Sequence, residues 1–458
     1  MKNRKFDMWT TKAGRHRAMR ALVGLVVFAT LLCGVAACSP WGTTPRESIA
    51  RYGDDGANFA RRIAFSYPRR VPYSNEEAKT ADLLVETLAR MGYEVERQSF
   101  TVTRDGVEHT SQNIIAHLEG HGFRRAESVD EALAETLPEK IDDRRMIVGA
   151  HYDTPAVAVE PDAGDDEVAP TEPAPSDRPD GIHNNASGVA AVMTAAEQML
   201  QEPPGYDVTF VFFGAGTDDY AGAEAFLKRM SEADKAKVDV MVNVGPIYAG
   251  DKVYAHAGQN SIESGDTKDY DLRRKLYQVT DIFFEYQLNT RNRYAIYTNQ
   301  ASFNVDWHGH SAIFREWTTK TSDHTPFDRA GIPIVFIESG EYRIESEAEV
   351  GLESRNPYFQ STGGVISGTS FDRTDRLEEL FHNIAEQQAR QTLPTLENRD
   401  DKVPTDPART TSVTGTMSLT TTEVPAHMIE RLPQRVNNTA FVLVKLGRKG
   451  PLHYEYDD

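Results

Sequence analysis

Met146-Ile147-Val148-Gly149-Ala150-His151-Tyr152-Asp153-Thr154 is the stretch on which the fold turns. Its first five residues carry no charged or polar side chain, so they have no face that suits water. A run this short and apolar on both sides reads as a strand buried within a sheet that helices cover on both faces. His151 stands where that strand ends, and a side chain there points into the crevice above the sheet, where α/β proteins build their sites. Asp153, two residues on, is placed to hold the imidazole.

Working outward, similar apolar runs rich in Val, Ile and Phe occupy residues 113–118, 208–213, 238–244 and 332–337. Residues 186–200 and 377–393 are the clearest covering helices. Ser74-Asn75-Glu76-Glu77 is a capping box that opens another, with Ala81, Leu84, Leu88 and Met91 as its apolar stripe and Gly92 as its stop. Strands alternating with helices predict an α/β fold, a three-layer α/β/α sandwich around a mixed, mostly parallel sheet. No internal repeat is present. Two segments break the alternation. Residues 160–180 hold eight acids, one Arg and five prolines and read as a disordered, solvated insert beside the crevice mouth, either an inert loop or a docking arm. Residues 397–425 read as a Thr/Pro-rich linker, and 426–458 as a short C-terminal tail with one strand at 439–447.

The chain has 458 residues and a formal net charge of -19. Without its first 37 residues it carries 43 basic against 68 acidic side chains, a balance of -25. That excludes a generic nucleic-acid binder, which needs an excess of Lys and Arg, and disfavours an anionic lipid surface. With 39% hydrophobic residues the body can bury a real core. Both cysteines, Cys33 and Cys38, lie near the N-terminus, so the body has neither an internal disulfide nor a thiolate metal site.

The N-terminus reads as an address. A basic stretch ends at Arg20, an apolar run occupies residues 21–37, and Val35-Ala36-Ala37-Cys38 follows. This resembles a bacterial lipoprotein signal peptide, residues 1–37, with Cys38 as the lipidated first residue of the mature chain and 38–56 as a tether. Bulky Leu32 makes Cys33 the poorer candidate. The alternative is an uncleaved anchor, for which the run is at the short limit. Either way the body is expected outside the cytoplasm, held at the cell membrane.

Five motifs then fall in register. They are Gly149–Thr154; Gly181-Ile182-His183-Asn184-Asn185-Ala186-Ser187-Gly188; Phe212-Phe213-Gly214-Ala215; Met241-Val242-Asn243-Val244; and Ser322-Asp323-His324-Thr325-Pro326-Phe327. In this order the set, spanning 57–396, resembles the co-catalytic dizinc aminopeptidase family, which includes glutaminyl cyclases and the transferrin-receptor protease-like domain. The resemblance implies two zinc ions at the strand ends. His151 matches the His ligand of one zinc, with Asp153 orienting it, and His324 the ligand of the other. The bridging Asp falls on Asn184. The adjacent general base and Glu ligand fall on Gly216 and Thr217, and the last Asp ligand on Gly245.

Catalytic zinc takes about three protein ligands plus water, so one His per metal is too few. Without a carboxylate base the family's hydrolysis also loses a contribution of about 10²–10⁴-fold. The expectation is a degenerate member with no catalytic residue retained and no cofactor, a residual or single zinc being the exception. It would bind a peptide or envelope protein in the inherited crevice. The alternative is an active metallo-aminopeptidase with a remodelled site, in which Asp218, Asp219 or His183 replaces a lost ligand. His151 and His324 are read as a hydrogen-bonded remnant of the old centre, and His308 and His310 as structural. The fourfold change Asn184→Asp, Gly216→Glu, Thr217→Glu and Gly245→Asp would be expected to restore zinc binding, and no single reversion would.

Overall fold

In the computed structural model the described residues are 53–124, 140–141, 143–155, 178–263, 268–286, 288, 296–297, 305–307, 310–312, 318, 320–341, 349, 351–392 and 431–450. The signal segment, Cys38, most of the acidic insert, the segment 397–425 and His308 lie outside them.

Eight strands form one mixed sheet: β1 (Val95–Arg104), β2 (Val107–Leu118), β3 (Arg145–His151), β4 (Asp207–Phe213), β5 (Val238–Val244), β6 (Lys252–His256), β7 (Ile296–Tyr297) and β8 (Ile334–Gly340). Their order is β1-β2-β4-β3-β5-β8-β6-β7. The centre, β4-β3-β5-β8, is parallel; β1 and β2 pair antiparallel with their neighbours, and β6 pairs antiparallel with β8 and parallel with β7. Parallel strands need both faces covered, which is why their sequences run apolar without alternation. The β1–β2 hairpin turns on Asp105 and Gly106, with φ of 52° and 78°. Two left-handed residues make the turn whose twist matches its strands, and Asp-Gly is a pair that tolerates it.

The helices are α1 (Gly53–Ser66), α2 (Asn75–Met91), α3 (Ser187–Gln201), α4 (Ala221–Arg229), α5 (Lys268–Glu285), α6 (Thr325–Arg329), α7 (Thr374–Thr392) and α8 (Arg431–Lys449). α4 and α6 cover one face of the sheet, where Leu227 and Phe327 pack on Ile115, Ile147, Val211, Phe213, Met241 and Phe336. α1, α3, α5 and α8 pack together on the other. Tyr93 joins α2 to that layer: its hydroxyl donates to Ala196 O at 2.7 Å and its ring meets Phe210 edge-on. The three-layer α/β/α sandwich is thus present.

Three expectations need correction. The tether does not reach residue 56, because α1 starts at Gly53 and buries Gly53, Gly56 and Ala57. The acidic insert is not loose at its far end, because Asp180 donates its N–H to Asp372 O at 2.9 Å and accepts from Thr374 N at 2.8 Å. The C-terminal tail holds no strand at 439–447; those residues lie in α8, a 19-residue helix packed against α1, α3 and α5. Val436, Ala440, Leu443 and Val444 are all buried. Read alone, the run 439–447 is short and apolar like a buried strand; the helical period shows only when the polar residues upstream, Gln434, Arg435, Asn437 and Asn438, are included.

Candidate functional site

β3, β4 and β5 end level with one another: His151 stands opposite Phe213, and Gly149 opposite Asn243. The His151 ring turns back on its own chain, with Nδ1 3.2 Å from Asp153 O and 3.5 Å from Asp153 Oδ1. Asp153 is fully buried and accepts from the loop after β4: Gly216 N at 2.8 Å, Thr217 N at 2.9 Å and Thr217 Oγ1 at 2.6 Å. Burial alone would raise this carboxyl, but hydrogen bonds from His151 and Thr217 outweigh it and hold it below its ordinary value. Burial would likewise lower His151; the bond to Asp153 and the charge of Asp323 raise it instead. Asp323 is buried beside them and pushed up to about 6 by that burial. Its Oδ1 accepts no hydrogen bond.

His324 contacts β5 and β8. Its Nδ1 lies 3.4 Å from the Asn243 amide nitrogen, and its ring lies tilted against that of Phe336 with centroids 4.5 Å apart. Burial pushes it down to about 3, so it is neutral.

The family's metal can be tested against the four carboxylate positions. At Gly216 a Cβ would lie 2.3 Å from His151 Cβ and 2.8 Å from Asp323 Oδ1. At Gly245 it would lie 2.9 Å from the Phe336 ring. The Thr217 hydroxyl is spent on Asp153. Asn184 offers a buried amide oxygen with no hydrogen-bond donor, a neutral atom where two dications would need a shared anion. Among the described residues no three His, Cys, Asp or Glu side chains are grouped to hold a metal ion. The residues present do not fit a two-zinc centre.

Of the three candidate replacement ligands, Asp218 and His183 are engaged elsewhere. Asp218 accepts from Arg104 Nε at 2.9 Å and from the Tyr73 hydroxyl at 2.5 Å. Asp219 faces solvent 3.6 Å from the same arginine. His183 uses both ring nitrogens: Nδ1 accepts from Ala249 N at 3.1 Å and Nε2 meets Glu353 Oε1 at 3.2 Å. His310 opens a short strand, paired with Trp307 across a two-stranded ribbon.

Several buried residues that sequence reasoning missed build the walls. Arg70 donates to the carbonyls of Tyr152 at 2.8 Å, Asp180 at 2.8 Å and Gly181 at 2.7 Å, tying together the chain on either side of the insert. Burial brings its guanidinium down to about 10. Asp372 accepts from His183 N at 2.8 Å and Asn184 N at 3.2 Å. Glu77 helps to close the capping box only on one side: Ser74 Oγ accepts from Glu77 N at 3.1 Å, while the Glu77 carboxylate accepts from Tyr73 N, Ser111 Oγ and Ala215 N. Asp323 was legible, standing next to His324 in a quoted motif. Arg70, Glu353 and Asp372 carry no local signal, because their partners lie far away in the chain.

A family model described as Peptidase family M28 matches residues 133–357. The chain is 23% identical over 356 residues to the alkaline phosphatase isozyme conversion protein of Escherichia coli (strain K12), covering 76% of this chain and 89% of that one. Among solved structures it is similar to BSAP, a zinc aminopeptidase from Bacillus subtilis, at 11% identity, covering 73% of this chain and 93% of that chain with a TM-score of 0.46. It is also similar to Fimbriiglobus ruber glutaminyl cyclase, at 16% identity, covering 64% and 85% with a TM-score of 0.44.

Proposed function

The chain carries a domain of peptidase family M28, and on that premise we propose that it is a non-catalytic member, an exported lipoprotein that holds a peptide or an envelope protein in the crevice at the strand ends. The observation that carries this reading is Gly216. The position from which the family's general base would project has no side chain, and a Cβ there would meet His151 Cβ at 2.3 Å. Asn184, Thr217 and Gly245 at the ligand positions agree with it.

The test is the metal content of the purified protein after zinc exposure and dialysis, with turnover of an aminoacyl chromogenic substrate beside it. Less than one zinc per chain, no turnover and a melting temperature indifferent to chelator are expected. Two tightly held zinc ions, with turnover lost in His324→Ala, would sink the reading. A second reading, a hydrolase with a remodelled single-metal site, draws on the unpartnered Oδ1 of Asp323 beside His151. It predicts one zinc per chain, lost in Asp323→Asn. Anchoring is tested separately: Cys38→Ala should release the body or leave an uncleaved precursor.

A further inference from the structure

We propose that α8 is a clamp on the crevice wall and that Arg435 is its positioning residue. The loop that leaves β5 runs from Gly245 to Asp251, and it presents its carbonyls to one side. Arg435, buried in α8, donates through Nη1 to Ile247 O at 2.9 Å, Tyr248 O at 3.1 Å and Gly250 O at 2.8 Å. Its Nη2 donates to Asp251 O at 3.2 Å. Arg431, one turn earlier, also donates to the Gly250 and Asp251 carbonyls, with its guanidinium over the Phe381 ring. A row of carbonyls facing one way needs a row of donors, and the planar guanidinium supplies five in a fixed fork.

The amides of the same loop face buried groups of the 183–187 turn and of β8 and its sequel. Ile247 N donates to Ser187 Oγ at 3.0 Å, Ala249 N to His183 Nδ1 at 3.1 Å and Gly250 N to Ser339 Oγ at 3.1 Å. Asp251 N donates to Glu353 O at 3.0 Å. The loop is therefore a strip held on one edge by α8 and on the other by the residues that set His183, the neighbour of Asn184. The far end of α8 is fixed as well: Lys275 Nζ and Gln278 Nε2 donate to Gly450 O at 2.7 and 3.0 Å. The setting of His183 and its neighbour Asn184 thus depends on a helix that lies outside the matched family segment, 133–357. This holds whether the crevice hydrolyses a substrate or only binds one.

Amide hydrogen exchange on the full chain tests it. Arg435→Met keeps the apolar stem and removes the fork. The amides of Ile247, Ala249 and Gly250 should then exchange about tenfold faster, while those in the middle of α3 keep their protection. Leu443→Ala, on the apolar side of α8, should lower the melting temperature without selectively loosening the loop. Arg435→Lys, with one ammonium for four carbonyls, should fall between wild type and Arg435→Met. If Arg435→Met does not fold, Arg431→Met gives the same readout at Gly250 and Asp251. Loop amides that keep wild-type protection in the arginine variants, or that loosen equally in Leu443→Ala, would reduce Arg435 to ordinary packing and overturn the proposal.

Discussion

Gly216, on which the proposed reading rests, stands where the chain leaves no room for a side chain. Its N–H is bonded to Asp153 and its α-carbon lies against His151, so the loop after β4 has closed on β3. A Cβ cannot be added without moving backbone-proximal atoms of His151. Gly216→Ala is therefore expected to cost about 1–3 kcal/mol in chemical denaturation, the range of core overpacking. Gly245→Ala should cost less, because its obstacle is the tip of the Phe336 ring. Gly351→Ala, with nothing within 4 Å, should be neutral within about 0.5 kcal/mol. Equal effects at Gly216 and Gly351 would mean that the loop is free to open. The same geometry revises the reversion experiment: Asn184→Asp, Gly216→Glu, Thr217→Glu and Gly245→Asp together should not restore zinc to a loop that leaves no room for a side chain at 216. Two zinc ions in the fourfold variant would refute this.

At the scale of elements, the acidic insert hangs from a closed base. Arg70 spans Tyr152 on one side and Asp180 and Gly181 on the other, and its own carbonyl accepts from Thr154 N at 3.1 Å. Replacing residues 157–176 by a Gly/Ser linker of about six residues should leave the fold intact, with closure entropy easier by about 1 kcal/mol. Arg70→Met should instead lower stability by more than about 3 kcal/mol, because several buried carbonyls lose their donor together. Thermal melts of the two variants decide the point; a shortened insert that unfolds the body would show that the insert is part of the core.

For the whole molecule, buried carboxyls set how stability follows pH. Burial pushes Glu77 and Asp372 up to about 7 each. The native state therefore holds their protons more tightly than the unfolded chain, and stability falls as pH rises from the ordinary carboxyl range towards 7. Glu353 runs the other way. Burial would raise it, but hydrogen bonds from His183 and Ser367 and the charges of His183 and Lys320 hold it at about 2. Its contribution is lost as pH falls below the ordinary range. Buried His324, held down at about 3, works against Glu77 and Asp372, because its contribution grows as pH rises to the ordinary imidazole range, while the net charge of -19 adds self-repulsion near neutrality. The Glu77 part is isolated by comparison with Glu77→Gln: the wild type should lose melting temperature relative to the variant between pH 5 and 7. A wild type that gains on the variant across that interval would contradict the assignment.

Read alone, the sequence determined the layer architecture, the central strands and the strand-end position of His151. Each of these is written within a few residues: an apolar run, a cap, a motif read at its spacing. Tertiary structure alone decided three further things. α8 is a helix although its run 439–447 reads locally as a strand, because Arg435 and Lys445 are buried against partners far away in the chain, the loop after β5 and Glu202. Asp218 and His183 are bonded to Arg104, Ala249 and Glu353, partners that lie on other elements, while Asp219 faces solvent. The loop at Gly216 is shut because the sheet brings His151 against it from a different strand, a contact that no local stretch of chain encodes.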